Sequence, residues 1–192
     1  MVGAILAGGA GRRMGGAKAT RVVCGRPLLS YPAAALGAVC EQLAVVCKPG
    51  TELPAGGGWE VWDDEPLDPR HPALGIAHAL ERASGPVMVC ASDMPFVTGA
   101  DCAALMDAAA RGAAAVVASD ERGLQPLLGA YTPDAVPALR AAAGHGRPVR
   151  EAVEGLDPLR VELPAAALRS VNTPGELAAA ERELRSGTGG AA

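Results

Sequence analysis

The sequence predicts an α/β protein, a three-layer sandwich in which helices cover both faces of a mostly parallel, mixed central sheet. Short aliphatic runs, which are typical of parallel strands buried on both faces, lie at Val2–Ala7, Leu43–Cys47, Val87–Ala91 and Ala113–Ala118. Segments with helical spacing of apolar residues alternate with them, at Leu28–Val39, Leu74–Ala83 and, after a possible cap at Thr98, Ala100–Ala110. This alternation is typical of sheets that gather ligands beyond the carboxyl ends of their strands.

The second half of the chain is less regular and predicts the mixed part of the sheet. Strands are predicted at Pro126–Tyr131 and Leu159–Leu163, and helices at Thr132–Ala142 and Gly146–Val153. Thr173, Pro174 and Glu176 have the spacing of a capping box. They predict a last helix that ends at about Leu184.

Length and charge limit the possible classes of protein. The 192 residues suit one domain, expected over residues 1–185, and the Gly, Ser, Thr and Ala residues of 186–192 predict a disordered tail. The net charge of -4 comes without a basic stripe, so no nucleic-acid partner is expected. The apolar run at Val2–Ala7 is too short for a signal peptide or a membrane span, so we expect a cytoplasmic protein without membrane contact.

The cysteines and histidines do not form a recognisable site. The five cysteines are single, mostly within apolar runs, and are expected to be buried reduced thiols. The histidines are His71, His78 and His145, which are too scattered to predict a zinc site.

A glycine-rich segment directly follows the first predicted strand. Residues 6–18 read L-A-G-G-A-G-R-R-M-G-G-A-K. Glycines let the backbone turn sharply, and successive N–H groups in such a loop can cradle phosphate oxygens. Arg12, Arg13 and Lys18 add positive charge, so the segment predicts a polyphosphate ligand.

Two common phosphate-binding patterns do not fit this segment. A Walker A loop needs lysine directly after its second glycine, but Ala17 separates Gly16 from Lys18. A dinucleotide fingerprint beginning at Gly9 would need a third glycine where Met14 stands.

An aspartate follows the strand predicted at Val87–Ala91. Asp93 would lie at the same edge of the sheet as the glycine-rich segment. Because Mg²⁺ usually takes one or two carboxylates and completes its shell with phosphate and water oxygens, Asp93 is the predicted metal ligand and Mg²⁺ the predicted cofactor.

The segment resembles the L-A-G-G-x-x-x-R-M-G-x-x-K signature of the nucleotidyltransferase superfamily, and Asp93-Met94-Pro95 resembles its metal-binding motif. The resemblance implies a Rossmann-like fold of the nucleotide-diphospho-sugar transferase type. It also implies that Arg13 and Lys18 hold phosphate oxygens while Asp93 binds the metal. The nucleotide-binding residues that it implies are Leu6, Ala7, Gly8, Gly9, Gly11, Arg12, Gly15, Lys18, Asp68 and Asn172.

The region expected to contact the nucleoside departs from the superfamily pattern. Residues 68–75 resemble D-x-x-x-G-P-L-x-G only loosely, with His71 where glycine is usual. Asp68 is thus either a base contact or part of a surface turn. Lys48 stands where an asparagine of the superfamily is expected.

The second half resembles the acceptor half of the molybdenum cofactor guanylyltransferases. The segments are Gln125–Tyr131, Gly146–Arg150 and Val171–Leu177. Related cytidylyltransferases of isoprenoid synthesis usually carry aspartate at the position of Asn172, so Asn172 favours a molybdopterin-type acceptor. Arg147 and Arg150 are either acceptor contacts or an exposed basic helix start.

These observations predict a Mg²⁺-dependent enzyme that transfers GMP from GTP to molybdopterin with release of pyrophosphate, as a monomer or weak homo-oligomer. Two alternatives stay open. One is a cytidylyl- or guanylyltransferase that acts on another small phosphorylated metabolite. The other is a nucleotide-binding protein that delivers a cofactor without catalysis.

Overall fold

The computed structural model describes residues 1–9, 16, 18–63, 68 and 70–188. The strands in this part of the chain are β1 Val2–Leu6, β2 Val22–Val23, β3 Arg26–Pro27, β4 Gln42–Val46, β5 Glu60–Trp62, β6 Val87–Ala91, β7 Ala115–Asp120, β8 Gly123–Tyr131 and β9 Leu159–Glu162. The α-helices are α1 Ser30–Gly37, α2 Pro72–Ala83, α3 Gly99–Ala109, α4 Val136–Gly144, α5 Val149–Glu154 and α6 Pro174–Thr188.

Seven strands form one central sheet in the order β5-β4-β1-β6-β8-β7-β9. Strands β5, β4, β1 and β6 are parallel, β8 runs antiparallel to both of its neighbours, and β7 pairs with β9 in parallel. The predicted mixed, mostly parallel sheet is therefore confirmed. Strands β2 and β3 form a separate antiparallel pair.

Side chains alternate between the two faces of the sheet and build a core on each. Ile5 and Met88 pack in the cluster that includes residues of α1 and α3. Their neighbours Ala4 and Val89 pack on the other face with residues of α2 and α4. This period of two is what strands buried on both faces require, and it confirms the three-layer architecture.

The structure differs from the sequence-based prediction at its short and terminal elements. Strands β2, β3 and β5 were not predicted, because two or three residues are too few to show a period. Helix α6 continues to Thr188, so residues 186–188 are helical where a disordered tail was predicted. Residues 189–192 lie outside the described residues.

The predicted capping box at the start of α6 is confirmed. The Glu176 N–H donates to Thr173 Oγ1 at 3.2 Å, and the Thr173 N–H donates to Glu176 Oε2 at 3.0 Å. Both groups would otherwise be unsatisfied in the first turn.

The cysteines behave largely as predicted. Cys40, Cys47, Cys90 and Cys102 are buried, Cys24 is half-buried, and none of the five forms a disulfide. Burial raises the pKa of the Cys102 thiol to about 12, so this thiol stays protonated at neutral pH. The helices of the described residues lack the length and apolar character needed to cross a bilayer.

Strand β8 separates from β7 in its middle. Val117 pairs with Gly129, but the next residue, Ala118, pairs with Gln125, so residues 126–128 have no partner in β7. The Tyr131 hydroxyl donates to the Pro126 carbonyl within this bulge at 2.7 Å, and Tyr131 is 1% exposed. This hydrogen bond satisfies a carbonyl that the sheet ladder does not reach.

Replacement of Tyr131 by phenylalanine should lower the free energy of unfolding by about 1–3 kcal/mol, because the buried Pro126 carbonyl would lose its donor. Urea denaturation monitored by circular dichroism measures the change. Tyr31→Phe is the matched control, since that hydroxyl donates to the Val23 carbonyl from a half-buried position, and its loss should cost less. Equal losses would contradict the role given to the bulge.

Candidate functional site

Three parallel strands end in register at one edge of the sheet. Leu6 at the end of β1 pairs with Val46 of β4 and with Ala91 of β6. The first residues beyond β1 and β6 are still hydrogen-bonded to neighbouring strands of the sheet. The Ala7 N–H donates to the Val46 carbonyl at 2.8 Å, and the Ser92 N–H donates to the Leu6 carbonyl at 3.0 Å. The glycine-rich segment, Lys48 and Asp93 therefore begin side by side at this edge.

Lys18, Asp93 and Asn172 meet at this edge from distant parts of the chain. The Lys18 ammonium forms an ion pair with Asp93 Oδ2 and donates to Asn172 Oδ1 at 2.8 Å. The side chains of Lys18 and Asp93 are only 14% and 17% exposed. Water screens such a pair less than it screens a surface pair, so the attraction between the two charges is stronger here.

The backbone after β6 also holds Asn172 in place. The Val171 N–H donates to the Asp93 carbonyl at 2.8 Å. The Asn172 N–H donates to Glu176 Oε2 at 2.6 Å. Glu176 thus caps α6 and orients the residue that contacts Lys18.

The second carboxylate oxygen of Asp93 fits a cation. Asp93 Oδ1 is buried and has no hydrogen-bond partner among the described residues. A buried carboxylate oxygen without a partner is costly, and a cation would satisfy it. No group of three or more His, Cys, Asp or Glu side chains suited to a metal occurs within the described ranges. This donor set suits Mg²⁺, which usually takes few protein ligands and several phosphate or water oxygens.

A cavity of about 600 Å³ lies beside this cluster. Its volume is within the range of small-ligand sites. The chain has two lysines, Lys18 and Lys48, and both line this cavity. Lys48 is 4% exposed. The cavity therefore gathers both of the compact, strongly charged ammonium groups that this chain contains.

The structure brings several predicted site residues together. Those that line the cavity are Leu6, Ala7, Gly8, Gly9, Lys18 and Asp93. Asn172 joins them through Lys18. Asp68 is exposed and does not line the cavity, so its contact with a base stays a prediction. Gly11, Arg12, Arg13 and Gly15 lie outside the described residues, and their roles also stay predictions.

Other residues of the cavity wall were not among the predicted site residues, and these include Lys48, Arg70, His71 and Leu127. Lys48 lies two residues after the end of β4, as Asp93 does after β6, so the rule that selected Asp93 could also have selected Lys48. No comparable signal marked Leu127, which reaches the cavity from the bulge of β8.

A second cavity of about 460 Å³ is lined by residues of all three segments that resemble an acceptor half. These are Gln125, Arg150, Val171 and Glu176, and Arg122 and Arg169 join them. Three arginines and two carboxylates line it, and ion pairs join Arg122 to Asp120 and Arg169 to Glu183.

Contacts hold all three arginines in place, and Arg122 donates to Asp120 Oδ2 through Nε at 3.0 Å and Nη2 at 2.8 Å. Arg150 donates to the carbonyls of Leu124 at 2.9 Å and Arg122 at 3.4 Å. The Arg169 guanidinium lies 4.0 Å from the centre of the Phe96 ring. Both Arg147 and Arg150 are exposed, but Arg150 lines this cavity and Arg147 does not.

Comparison with known proteins agrees with this geometry. Residues 3–159 match the MobA-like NTP transferase domain. A probable molybdenum cofactor guanylyltransferase of Deinococcus radiodurans is 36% identical over 183 residues, which cover 93% of this chain and 92% of the relative. A molybdenum cofactor guanylyltransferase of Cereibacter sphaeroides is 35% identical over 193 residues, which cover 96% and 97%.

A solved structure is also similar over nearly the whole chain. Molybdopterin-guanine dinucleotide biosynthesis protein A from Archaeoglobus fulgidus has a TM-score of 0.77 and 25% identity, covering 97% of this chain and 100% of that one. The resemblance and the fold that the glycine-rich segment implied are confirmed. The chain belongs to the family of MobA-like NTP transferase domains.

Proposed function

We propose that this protein transfers GMP from GTP to a molybdopterin-type acceptor and releases pyrophosphate. The observation that carries the proposal is the contact of Lys18 with both Asp93 and Asn172 beside a nucleotide-sized cavity. The names of the relatives from Deinococcus radiodurans and Cereibacter sphaeroides support the guanylyl group and the acceptor.

The reaction requires no protein nucleophile. An oxygen of the acceptor phosphate forms a bond to the α-phosphorus of GTP, and the bond from that phosphorus to the oxygen of the β-phosphate breaks. The departing oxygen leaves as part of pyrophosphate. The protein's task is to align the two substrates and to neutralise the negative charge that develops on the leaving group.

Lys18 and Asp93 divide the charged roles. Mg²⁺, bound by Asp93, would supply charge neutralisation at the phosphate oxygens and help to orient them. The ammonium of Lys18 then binds phosphate oxygens and stabilises the charge on the leaving pyrophosphate. Asn172 Oδ1 accepts a hydrogen bond from Lys18, which keeps the ammonium directed into the site.

The second cavity is the proposed binding site for the acceptor. Arg122, Arg150 and Arg169 line it, and guanidinium groups bind phosphate through paired N–H donors. The hydrogen bond from Val171 to the Asp93 backbone joins this cavity to the cluster that would bind the nucleotide phosphates. This arrangement supports attack by an acceptor phosphate from the side of the second cavity.

Pyrophosphate release from each nucleoside triphosphate, with molybdopterin and Mg²⁺ present, tests the proposal. We expect release with GTP and much less with CTP. Release with CTP alone would indicate a cytidylyltransferase. A folded protein that binds GTP but releases no pyrophosphate with molybdopterin would contradict the acceptor, and other phosphorylated metabolites would then be tried.

Asp93→Asn should lower turnover by roughly 10²-fold or more and weaken the dependence of GTP binding on Mg²⁺, because the charged metal ligand is lost. Steady-state kinetics and calorimetry across a Mg²⁺ series measure both effects. The matched control is Asp101→Asn, which changes a capping carboxylate of α3. It should leave the turnover and the Mg²⁺ dependence of GTP binding unchanged. Unaltered Mg²⁺ dependence in Asp93→Asn would exclude Asp93 as the ligand.

Lys18→Gln should lower the rate on the order of 10²-fold or more, as expected when a charged donor to the transition state is removed. Single-turnover kinetics at saturating GTP isolate the chemical step. Arg160→Gln, on the edge strand β9, removes one exposed positive charge and serves as the control. A change confined to KM would make Lys18 a binding residue only.

A further inference from the structure

One histidine side chain joins two distant segments of the described chain. The Ala73 N–H donates to His71 Nδ1 at 3.2 Å and so caps the start of α2. Because Nδ1 accepts, the ring hydrogen of a neutral His71 is on Nε2, which lies 2.9 Å from the Arg147 carbonyl and donates to it. The imidazole therefore bridges residues that are 76 positions apart.

One end of this bridge lines a cavity, and the other end lies three residues before a residue that lines the second cavity. On one side is the cavity of about 600 Å³ that is proposed to bind the nucleotide, which is lined by Arg70, His71, Pro72 and Gly75. On the other side, Arg147 lies two residues before α5. The first turn of α5 carries Arg150, which lines the second cavity.

The contact between His71 and the Arg147 carbonyl lies at the N-terminal end of α2. At the other end of this helix, Arg140 of α4 donates to both carboxylate oxygens of Glu81, at 2.8 and 2.6 Å. An ion pair thus joins α2 to α4 at the end of α2 that lies away from the cavity. At the cavity end, the His71 ring joins the start of α2 to the Arg147 carbonyl.

We propose that His71 is a positioning residue that couples the two cavities. Nucleotide binding against the turn before α2 fixes the imidazole, and the imidazole in turn fixes the Arg147 carbonyl and the orientation of Arg150 toward the acceptor. The inference rests on the proposed function for the identities of the nucleotide and of the acceptor. The bridge itself depends on the geometry alone.

The variant His71→Asn removes the bridge to Arg147 and keeps the cap of α2. Asparagine is a good N-cap residue, so α2 keeps its cap, but the side chain is too short to reach the Arg147 carbonyl. His71→Asp repeats the design with another N-cap residue in case the first variant folds poorly. Arg140→Ala is the matched control, since it breaks the α2–α4 contact at the far end.

Amide hydrogen exchange directly measures the local stability of the turn that contains Gly146 and Arg147. The Arg147 and Gly146 N–H groups donate to the carbonyls of Ala142 at 2.9 Å and Ala143 at 3.2 Å, so their exchange reports local opening. Without nucleotide, exchange at these two amides should be about three- to tenfold faster in His71→Asn than in the native chain, which corresponds to the loss of one hydrogen bond. The Ala73 amide should stay protected, and Arg140→Ala should show native exchange at the turn.

Saturating GTP should slow exchange at Arg147 in the native chain and in Arg140→Ala, but not in His71→Asn. A GTP effect of native size in both His71 variants, or native exchange at the turn without nucleotide, would overturn the proposal and leave His71 as a helix cap. Failure of the native chain to bind GTP would contradict the proposed function instead. The nucleotide-free comparison would then still decide whether the bridge exists.

Discussion

The site depends on three parallel strands that end in register. Because Leu6, Val46 and Ala91 are paired across β4, β1 and β6, the residues that follow each strand begin at one edge. A slip of one residue would move every side chain of a strand to the opposite face of the sheet, where it would not fit the close packing of the other core. The hydrophobic packing of the sandwich therefore fixes the places of the glycine-rich segment, Lys48 and Asp93, which form the polar edge of the sheet.

The charged groups at this edge are a closely packed pair of opposite sign. Asp93 partly neutralises Lys18, yet one of its oxygens is buried without a hydrogen bond in the described part of the chain. Burying a carboxylate in this way costs free energy that the fold must offset elsewhere. The segment from Val171 to Glu176 contributes to this offset, because it binds the Asp93 backbone and orients Asn172. The result is a cluster in which Lys18, Asp93 and Asn172 are already held close together.

Local patterns predicted the parts of the molecule that local physics determines. The long strands follow from aliphatic runs, the α6 cap from the spacing of Thr173 and Glu176, and the edge position of Asp93 from the strand before it. The contact between Lys18 and Asn172 spans 154 positions, and only the family resemblance indicated that both belong to one site. The bulge of β8 shows itself in the pairing with β7, where Val117 pairs with Gly129 and the next residue, Ala118, pairs with Gln125. The residues of β8 alone therefore could not predict that Leu127 and Gln125 line different cavities. Lys48 could have been predicted from its place after β4.

The most direct test of this account is a crystal structure with Mg²⁺ and a GTP analogue that cannot release pyrophosphate. The account predicts that the triphosphate occupies the 600 Å³ cavity and that Asp93 binds the metal. It also predicts that the Lys18 ammonium moves from Asp93 to a phosphate oxygen. A triphosphate bound elsewhere, or bound while the ion pair between Lys18 and Asp93 stays intact and the metal lies on other residues, would contradict the central role given to this cluster.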